Sequence, residues 1–329
     1  MTKEIKRVAV FSSGGDAPGM NAAIRAVVRN ALHNDLHIYG IIRGYQGMIE
    51  GNIRRLETSD VSNIIHRGGT ILKTARSKEF MTKEGRAKAY ENLDLNDIDA
   101  LIAIGGNGTF TGANIFVQEY PKMAVIGIPG TIDNDLFGTD FTIGFDTAVN
   151  TAVEAIDRIR DTADSHNRLF FVEVMGRNSG FIGLHAAMAG GAGGVIIPED
   201  DSSIEDLIKL LKRGARRNKL FSIVVVAEGS PLGSVYEIAK KVESELGDYD
   251  DVKVSVIGHL QRGGSPSAFD RVLASTLGFS AVEALLQGQR SVMVGIQNNN
   301  IHYTPFEDAI TKPKRLNRRL LNMAHILAQ

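Results

Sequence analysis

Residues 124–135, Ala-Val-Ile-Gly-Ile-Pro-Gly-Thr-Ile-Asp-Asn-Asp, decide the fold. The apolar run AVIGIP reads as a strand buried on both faces, as in parallel sheets whose two sides are covered by helices. It stops at Gly130, and a loop then delivers Asp133 and Asp135 two residues apart. Two more apolar runs stop in the same way. RVAVF ends at Ser12-Ser13-Gly14-Gly15-Asp16, and LIAI ends at Gly105-Gly106-Asn107-Gly108-Thr109. In parallel sheets ligands bind beyond the carboxyl ends of the strands. Glycine loops there suit phosphates, and the carboxylates suit a base or a magnesium partner. Together they point to phosphoryl transfer.

Working outward, strands and helices alternate along the chain. Strands are expected at Val8–Phe11, 37–42, 101–104, 124–128, 168–175, 193–198, 221–229, 253–260 and 291–297. Helices are expected at Ala17–His33 with Pro18 in the first turn, at about Thr109–Gln118, and at Phe145–Ala163, Ser179–Ala189, Ile204–Arg216, Val235–Leu246 and Ser267–Leu286. A short helix over Leu56–Ile65 would be capped by Thr58 or Ser59. This alternation predicts an α/β fold with mostly parallel sheets. The acidic run Glu243–Asp251 reads as a solvated loop, and the basic stretch Lys312–Arg319 as a solvated helix face.

The 329 residues allow one or two domains. A formal net charge of −1 gives no field toward nucleic acid or a membrane surface. With 35 glycines and 8 prolines, tight βα turns are favoured over a low-complexity chain, and the absence of cysteine removes disulfide and thiolate chemistry. No apolar run approaches the roughly 20 residues of a membrane span, and the polar start MTKEIKR does not read as a secretory signal. A cytoplasmic location is expected.

Each candidate residue has a chemical reason. Asp133 could take the proton of an attacking hydroxyl, Asp135 could reach magnesium or orient its neighbour, and Thr131 could bond a phosphate or sugar oxygen. Arg76, Arg168, Arg177 and Arg262 lie at strand ends or beside glycine turns, where a guanidinium fork suits phosphate. Glu228 could accept sugar hydroxyls, and His259 could donate to a phosphate or cap a turn. Tight turns and surface capping account for any one of these residues alone. No Walker A loop, dinucleotide fingerprint or zinc spacing is present.

The motifs SGGDAPGMNAAIR, GGTILKTAR, IGGNGT, PGTIDND, IGFDTA, VEVMGR, AEG and GHLQRGGSPSAFDR occur in that order. Nearly the whole chain thereby resembles the bacterial 6-phosphofructokinases. The resemblance implies two doubly wound domains with the active site in the cleft between them. The larger, nucleotide-binding domain would be 1–143 plus 256–306, and the smaller, sugar-phosphate domain 144–255 plus 307–329. It implies transfer of the γ-phosphoryl group of ATP, as co-substrate with Mg2+, to the 1-hydroxyl of fructose 6-phosphate, in a homotetramer that shares its active sites between subunits.

By the same resemblance Asp133 is the base, with Thr131, Asp135 and Arg76 beside it. Gly15, Arg76, Ser77, Gly106, Asn107, Gly108 and Thr109 fall on ATP positions. Thr131, Ile132, Asp133, Met175, Gly176, Arg177, Glu228, His259 and Arg262 fall on sugar-phosphate positions, and Arg168 and Lys253 on positions lent by a neighbouring subunit. Asn107 and Asp135 fall on the metal site, and Arg25, Arg29, Arg158, Arg217 and Lys219 on an effector site. Glycine at 108 and 130 resembles the ATP-using rather than the pyrophosphate-using relatives.

Some positions depart from the family pattern. Asn107 stands for a magnesium-site Asp, Ser77 for an aromatic and Lys253 for an Arg. Thr58 and Gly193 stand where an effector-site Arg and Glu are common. These departures leave open an alternative: a catalytically weak regulatory or binding paralogue.

Overall fold

Runs of Val, Ile, Leu and Ala that carry no polar face can be satisfied only inside a sheet covered twice, and the chain builds two such sheets. The computed structural model describes residues 5–165, 168–201, 203–215, 222–246 and 251–328. In chain order the first half forms β1 (Arg7–Ser12), α1 (Met20–His33), β2 (His37–Ile41), α2 (Gly44–Glu50), β3 (Ile53–Arg55), α3 (Lys83–Leu95), β4 (Ala100–Gly105), α4 (Asn107–Glu119) and β5 (Ala124–Pro129). Next come α5 (Phe145–Asp164), β6 (Arg168–Val174), α6 (Phe181–Ala189), β7 (Gly194–Ile196), α7 (Ile204–Ala215), β8 (Ser222–Ala227), α8 (Val235–Glu245) and β9 (Asp251–Val256). The chain finishes with α9 (Ala268–Leu286), β10 (Val292–Gln297), β11 (Asn300–Pro305), α10 (Phe306–Thr311) and α11 (Arg318–Leu327). No described helix is long and apolar enough to cross a membrane.

These elements fall into two compact units. The first comprises Met1–Ile132, Leu136–Asp146 and Arg262–Lys314, and the second Asp133–Asp135, Thr147–Gln261 and Arg315–Gln329. The first unit holds a seven-stranded sheet in the order β11-β10-β5-β4-β1-β2-β3, parallel in the middle with antiparallel β3 and β11 at its edges. On one face Phe11, Leu101 and Val125 pack against Tyr45, Met48, Phe80, Leu93, Phe110, Phe116 and Phe306, contributed largely by α2, α3, α4 and α10. The alternate strand residues point to the other face, where α1 and α9 pack on each other. The second unit holds an all-parallel sheet in the order β7-β8-β6-β9. Leu169, Phe171, Val224 and Val226 pack there against Leu207, Ile208 and Leu211 of α7 and Ile238 and Val242 of α8.

Several local expectations are corrected. The first helix begins at Met20 rather than Ala17, because Gly19 precedes it at φ 109° and leaves Pro18 outside. Over 56–65 only Thr58–Val61 is a 3₁₀ turn, and its cap is a reciprocal Glu57–Asp60 box rather than Thr58 or Ser59. The helix after β4 begins at Asn107, two residues early, so Asn107 and Gly108 are helical rather than loop. The expected strand over 253–260 instead runs Asp251–Val256, and His259 sits in a 3₁₀ turn at Gly258–Arg262. Lys312 and Lys314 are tied down, to Asp308 and to the Asp140 carbonyl, before the helix expected across this stretch begins at Arg318. Of the acidic run, Glu243 and Glu245 are helical and Asp251 opens a strand. Residues 247–250 lie outside the described residues, as do Arg216 and Phe221, the expected ends of a helix and a strand. The chain returns between units at Arg262 and Arg315, not at 256 and 307. Gln261 bonds within the second unit, and α10 packs on α4 in the first.

One ion pair locks α4 in place from its far end. Arg86 of α3 donates through Nε and Nη2 to the two oxygens of Glu119, each at 2.7 Å, while its Nη1 donates to the Phe80 and Met81 carbonyls. The hydrogen bond from Arg86 holds the Glu119 carboxyl below its ordinary value. The pair therefore stabilises fully above the unfolded-state value of about 4.3 and loses that contribution as pH falls through the lowered value. Glu119→Gln is expected to cost about 1–3 kcal/mol at neutral pH. In urea titrations the gap from the parent chain should shrink on acidification below about pH 4.

Candidate active site

In the first unit the chain leaves β1 toward β2 on one side, while β4 pairs with β1 on the other. That reversal is a switch point, where the loops after neighbouring strands part and leave room for a ligand. The loops are held in register there. Ser13 N–H donates to the Ile104 carbonyl at 3.0 Å, and Gly130 N–H donates to the Gly105 carbonyl at 3.0 Å. Thr109 Oγ1 donates to the Ser13 carbonyl at 3.1 Å, and the buried Tyr45 hydroxyl donates to the Thr109 carbonyl at 2.6 Å. Burial pushes the Tyr45 phenol up, so it remains a donor.

Gly106 opens α4 without any side-chain cap, so the helix presents its first turn and the positive end of its dipole at the switch point. An atom added at Gly108 would meet nothing within 4 Å. At Gly15 a Cβ would stand 2.6 Å from Arg262 Nη1, which also donates to the Asp16 carbonyl at 3.2 Å. The Arg262 guanidinium thus lies directly against the Gly15 main chain. The segment carrying Arg76 is drawn to the same edge, since Thr74 Oγ1 donates to the Gly14 carbonyl at 2.6 Å and Ser12 Oγ donates to the Lys73 carbonyl. Arg76 itself is exposed. Ser77 Oγ donates to Gln46 Oε1 at 2.8 Å and accepts from Phe80 N–H. The Thr131 carbonyl accepts from Thr142 Oγ1, and Ile132 is fully buried. The first unit therefore assembles Gly15, Ser77, Gly106, Asn107, Gly108, Thr109, Thr131 and Arg262 around one edge.

The second unit holds a further set of the expected residues. Asp133 is 4% exposed, its carbonyl accepts from Ser179 Oγ at 3.0 Å, and its Oδ2 lies 3.6 Å from Arg177 Nε. Arg177 follows β6 at φ 52°, after Gly176 at φ 148°. That left-handed turn aims the arginine back over the sheet edge, and its N–H donates to Glu228 Oε2 at 3.2 Å beyond β8. Burial, and then the Glu228 charge, push the neighbouring Glu173 carboxyl up. Met175 N–H donates to Gln261 Oε1 at 2.8 Å, and Gln261 Nε2 donates to the Ala148 carbonyl at 3.2 Å. His259 and Asp135 are exposed.

Two expected residues stand elsewhere. Arg168 opens β6 and Lys253 lies near the start of β9. Arg168 lies about 20 Å before the end of β6 at Val174, and Lys253, registered against Phe170, about 13 Å before that level, at 3.3 Å per residue. Of the expected effector residues, Arg25 is partly buried, and burial and then the Arg29 charge push its pKa down. Arg158 pairs with Glu154 on its own helix. Arg217 and Lys219 lie outside the described residues. Asn107 Nδ2 donates weakly to the Ile310 carbonyl at 3.4 Å, and its Oδ1 accepts from Thr111. Among the described residues no three carboxylate or imidazole groups gather into a metal cage.

Residues 7–285 match the sequence pattern of the family described as Phosphofructokinase. The chain belongs to the phosphofructokinase family. Among its relatives, the ATP-dependent 6-phosphofructokinase 2 of Bacteroides thetaiotaomicron is 54% identical over 97% of both chains. The ATP-dependent 6-phosphofructokinase 1 of Thermus thermophilus is 55% identical over 98% of this chain and 100% of its own. The solved T-state phosphofructokinase of Pichia pastoris superposes with a TM-score of 0.89 at 36% identity over 99% of this chain. This chain spans 36% of that longer one.

Within this phosphofructokinase fold, the sequence reading passed over Gln261 and Ser179, the two side chains that fix the main chain at Met175 and Asp133. A glutamine between an apolar strand and Gly263-Gly264 was the available signal, since a polar amide there must find buried partners. Gln261→Leu leaves the Met175 N–H and the Ala148 carbonyl without this partner. It is expected to cost about 2–4 kcal/mol in chemical denaturation and to speed amide exchange at Met175.

Proposed function

We propose that this phosphofructokinase transfers the γ-phosphoryl group of ATP to the 1-hydroxyl of fructose 6-phosphate. The observation that carries the reading is Asp133, a buried carboxylate held beside Arg177 at the end of a glycine-loop strand. Asp133 accepts the proton as the sugar oxygen attacks the γ-phosphorus, the bond to the β,γ-bridging oxygen breaks, and ADP leaves. Thr131 and Asp135 orient that loop. Arg76 and the amides of Gly106, Asn107, Gly108 and Thr109 offset charge on the moving phosphoryl group. Gly15 and Ser77 border the nucleotide. The open space at Gly108 supports ATP over pyrophosphate as donor.

Met175, Gly176, Arg177, Glu228, His259 and Arg262 hold the sugar phosphate, with Ile132 behind the loop. Arg168 and Lys253 hold the 6-phosphate of a neighbouring subunit in a homotetramer. Their place at the opposite end of the sheet from Arg177 supports that division of labour. Arg25 and Arg29 are candidates to receive an anionic effector.

Magnesium fits the donor set: it keeps several waters and takes one or two protein oxygens plus phosphates, so Asp135 and the Asn107 carbonyl would serve without a protein cage. When bound, it would neutralise phosphate charge. The 54–55% identical relatives do not favour the catalytically weak paralogue.

The purified chain, assayed for ADP release with fructose 6-phosphate across magnesium concentrations, should turn over with ATP and not with pyrophosphate. Asp133→Asn should lower kcat by about a thousandfold with little change in KM. Full activity of that variant would remove the assigned base.

A further inference from the structure

Three charged side chains share one face at the amino end of the second unit's sheet. Arg168, the first residue of β6, is registered directly against Asp251, the first residue of β9. Lys253 follows two residues on and so projects to the same side as Asp251. Lys253 Nζ lies 2.8 Å from Asp251 Oδ2, and Arg168 Nε lies 3.7 Å from the same oxygen. One carboxylate oxygen thus serves both cations that the proposed function assigns to the 6-phosphate. The Lys253 hydrogen bond above all, with the Lys253 and Arg168 charges behind it, holds the Asp251 carboxyl below the usual range. It therefore stays ionised at neutral pH, and the cluster carries one net positive charge instead of two.

We propose that Asp251 is a built-in counter-anion that occupies Arg168 and Lys253 until a sugar phosphate displaces it, and that it thereby sets the affinity for that phosphate. The inference rests on the assignment of those two cations to the 6-phosphate. Two effects of the carboxylate oppose each other. Holding the cations in place favours binding, but ion pairs this open to solvent, with side chains 28–49% exposed, contribute little. Repulsion disfavours binding, and it acts on a dianion that must sit against the same two side chains. The second effect is the larger. A dianionic phosphate ester can outcompete one carboxylate for the pair, whereas a sugar without the phosphate cannot. Asp251 thus acts as a positioning residue that discriminates between the two.

Fructose 6-phosphate binding to the full chain by calorimetry, together with steady-state kinetics, tests this in the parent, Asp251→Asn and Asp251→Glu. Asp251→Asn keeps the shape and removes the charge. It should bind fructose 6-phosphate about three- to tenfold more tightly at low ionic strength, with KM lowered in step and kcat and the ATP KM unchanged. The gain should shrink in high salt, and Asp251→Glu should stay close to the parent. Equal or weaker binding by Asp251→Asn, in a chain whose parent phosphorylates fructose 6-phosphate, overturns this inference alone. A parent that neither binds nor phosphorylates fructose 6-phosphate overturns the assignment beneath it as well.

Discussion

Parallel pairing of β4 with β1 on one side and β5 on the other is the constraint from which the first unit's site follows. The register places Ser12 opposite Ile104 and Gly105 opposite Pro129, so three strands run out of apolar residues at one level. The two main-chain bonds just beyond that level carry the pairing into the loops. The glycines then have little freedom left to misplace. Their amides are fixed by sheet geometry, and the uncapped start of α4 adds its dipole at the same edge. A loop long enough to wander would have to be ordered by the ligand, and binding would lose that entropy.

The second unit applies the same logic with a different emphasis. Its sheet edge is finished by side chains that satisfy main-chain groups: Gln261 at Met175, Ser179 at Asp133 and Glu228 at Arg177. Polar groups so engaged are costly to disturb once buried. The acidic loop counts with this unit by its contacts although the strand that delivers it belongs to the other. Asp133 is therefore held both by the strand that precedes it and by Ser179 beyond β6.

Much of this was legible in the sequence because period and punctuation carried it. Apolar runs ending in glycine gave most of the buried strands, and the amphipathic stretch from Phe145 gave the longest helix. What escaped has physical reasons. β3 is three residues long and exposed along two of them, and α3 is mostly polar, so neither has an apolar rhythm to read. β11 is an antiparallel edge whose partner lies across a turn of two asparagines at positive φ, without the glycine that usually marks one. The candidate site was legible by residue type, but its second layer was not. Gln261 and Ser179 act through partners distant in the chain, and Asp251 sits in an acidic run that read as solvent-facing loop.

The charges at the start of β9 have one more consequence. Within a single chain β9 is an outer strand of the small parallel sheet, and its counterpart on the far side, β7, is only three residues long. An unprotected strand of this kind is a template on which another polypeptide can add itself. Lysine and aspartate along one margin and brevity at the other blunt both templates. The charged start of β9 thus also guards a valine-rich layer against edge-to-edge pairing.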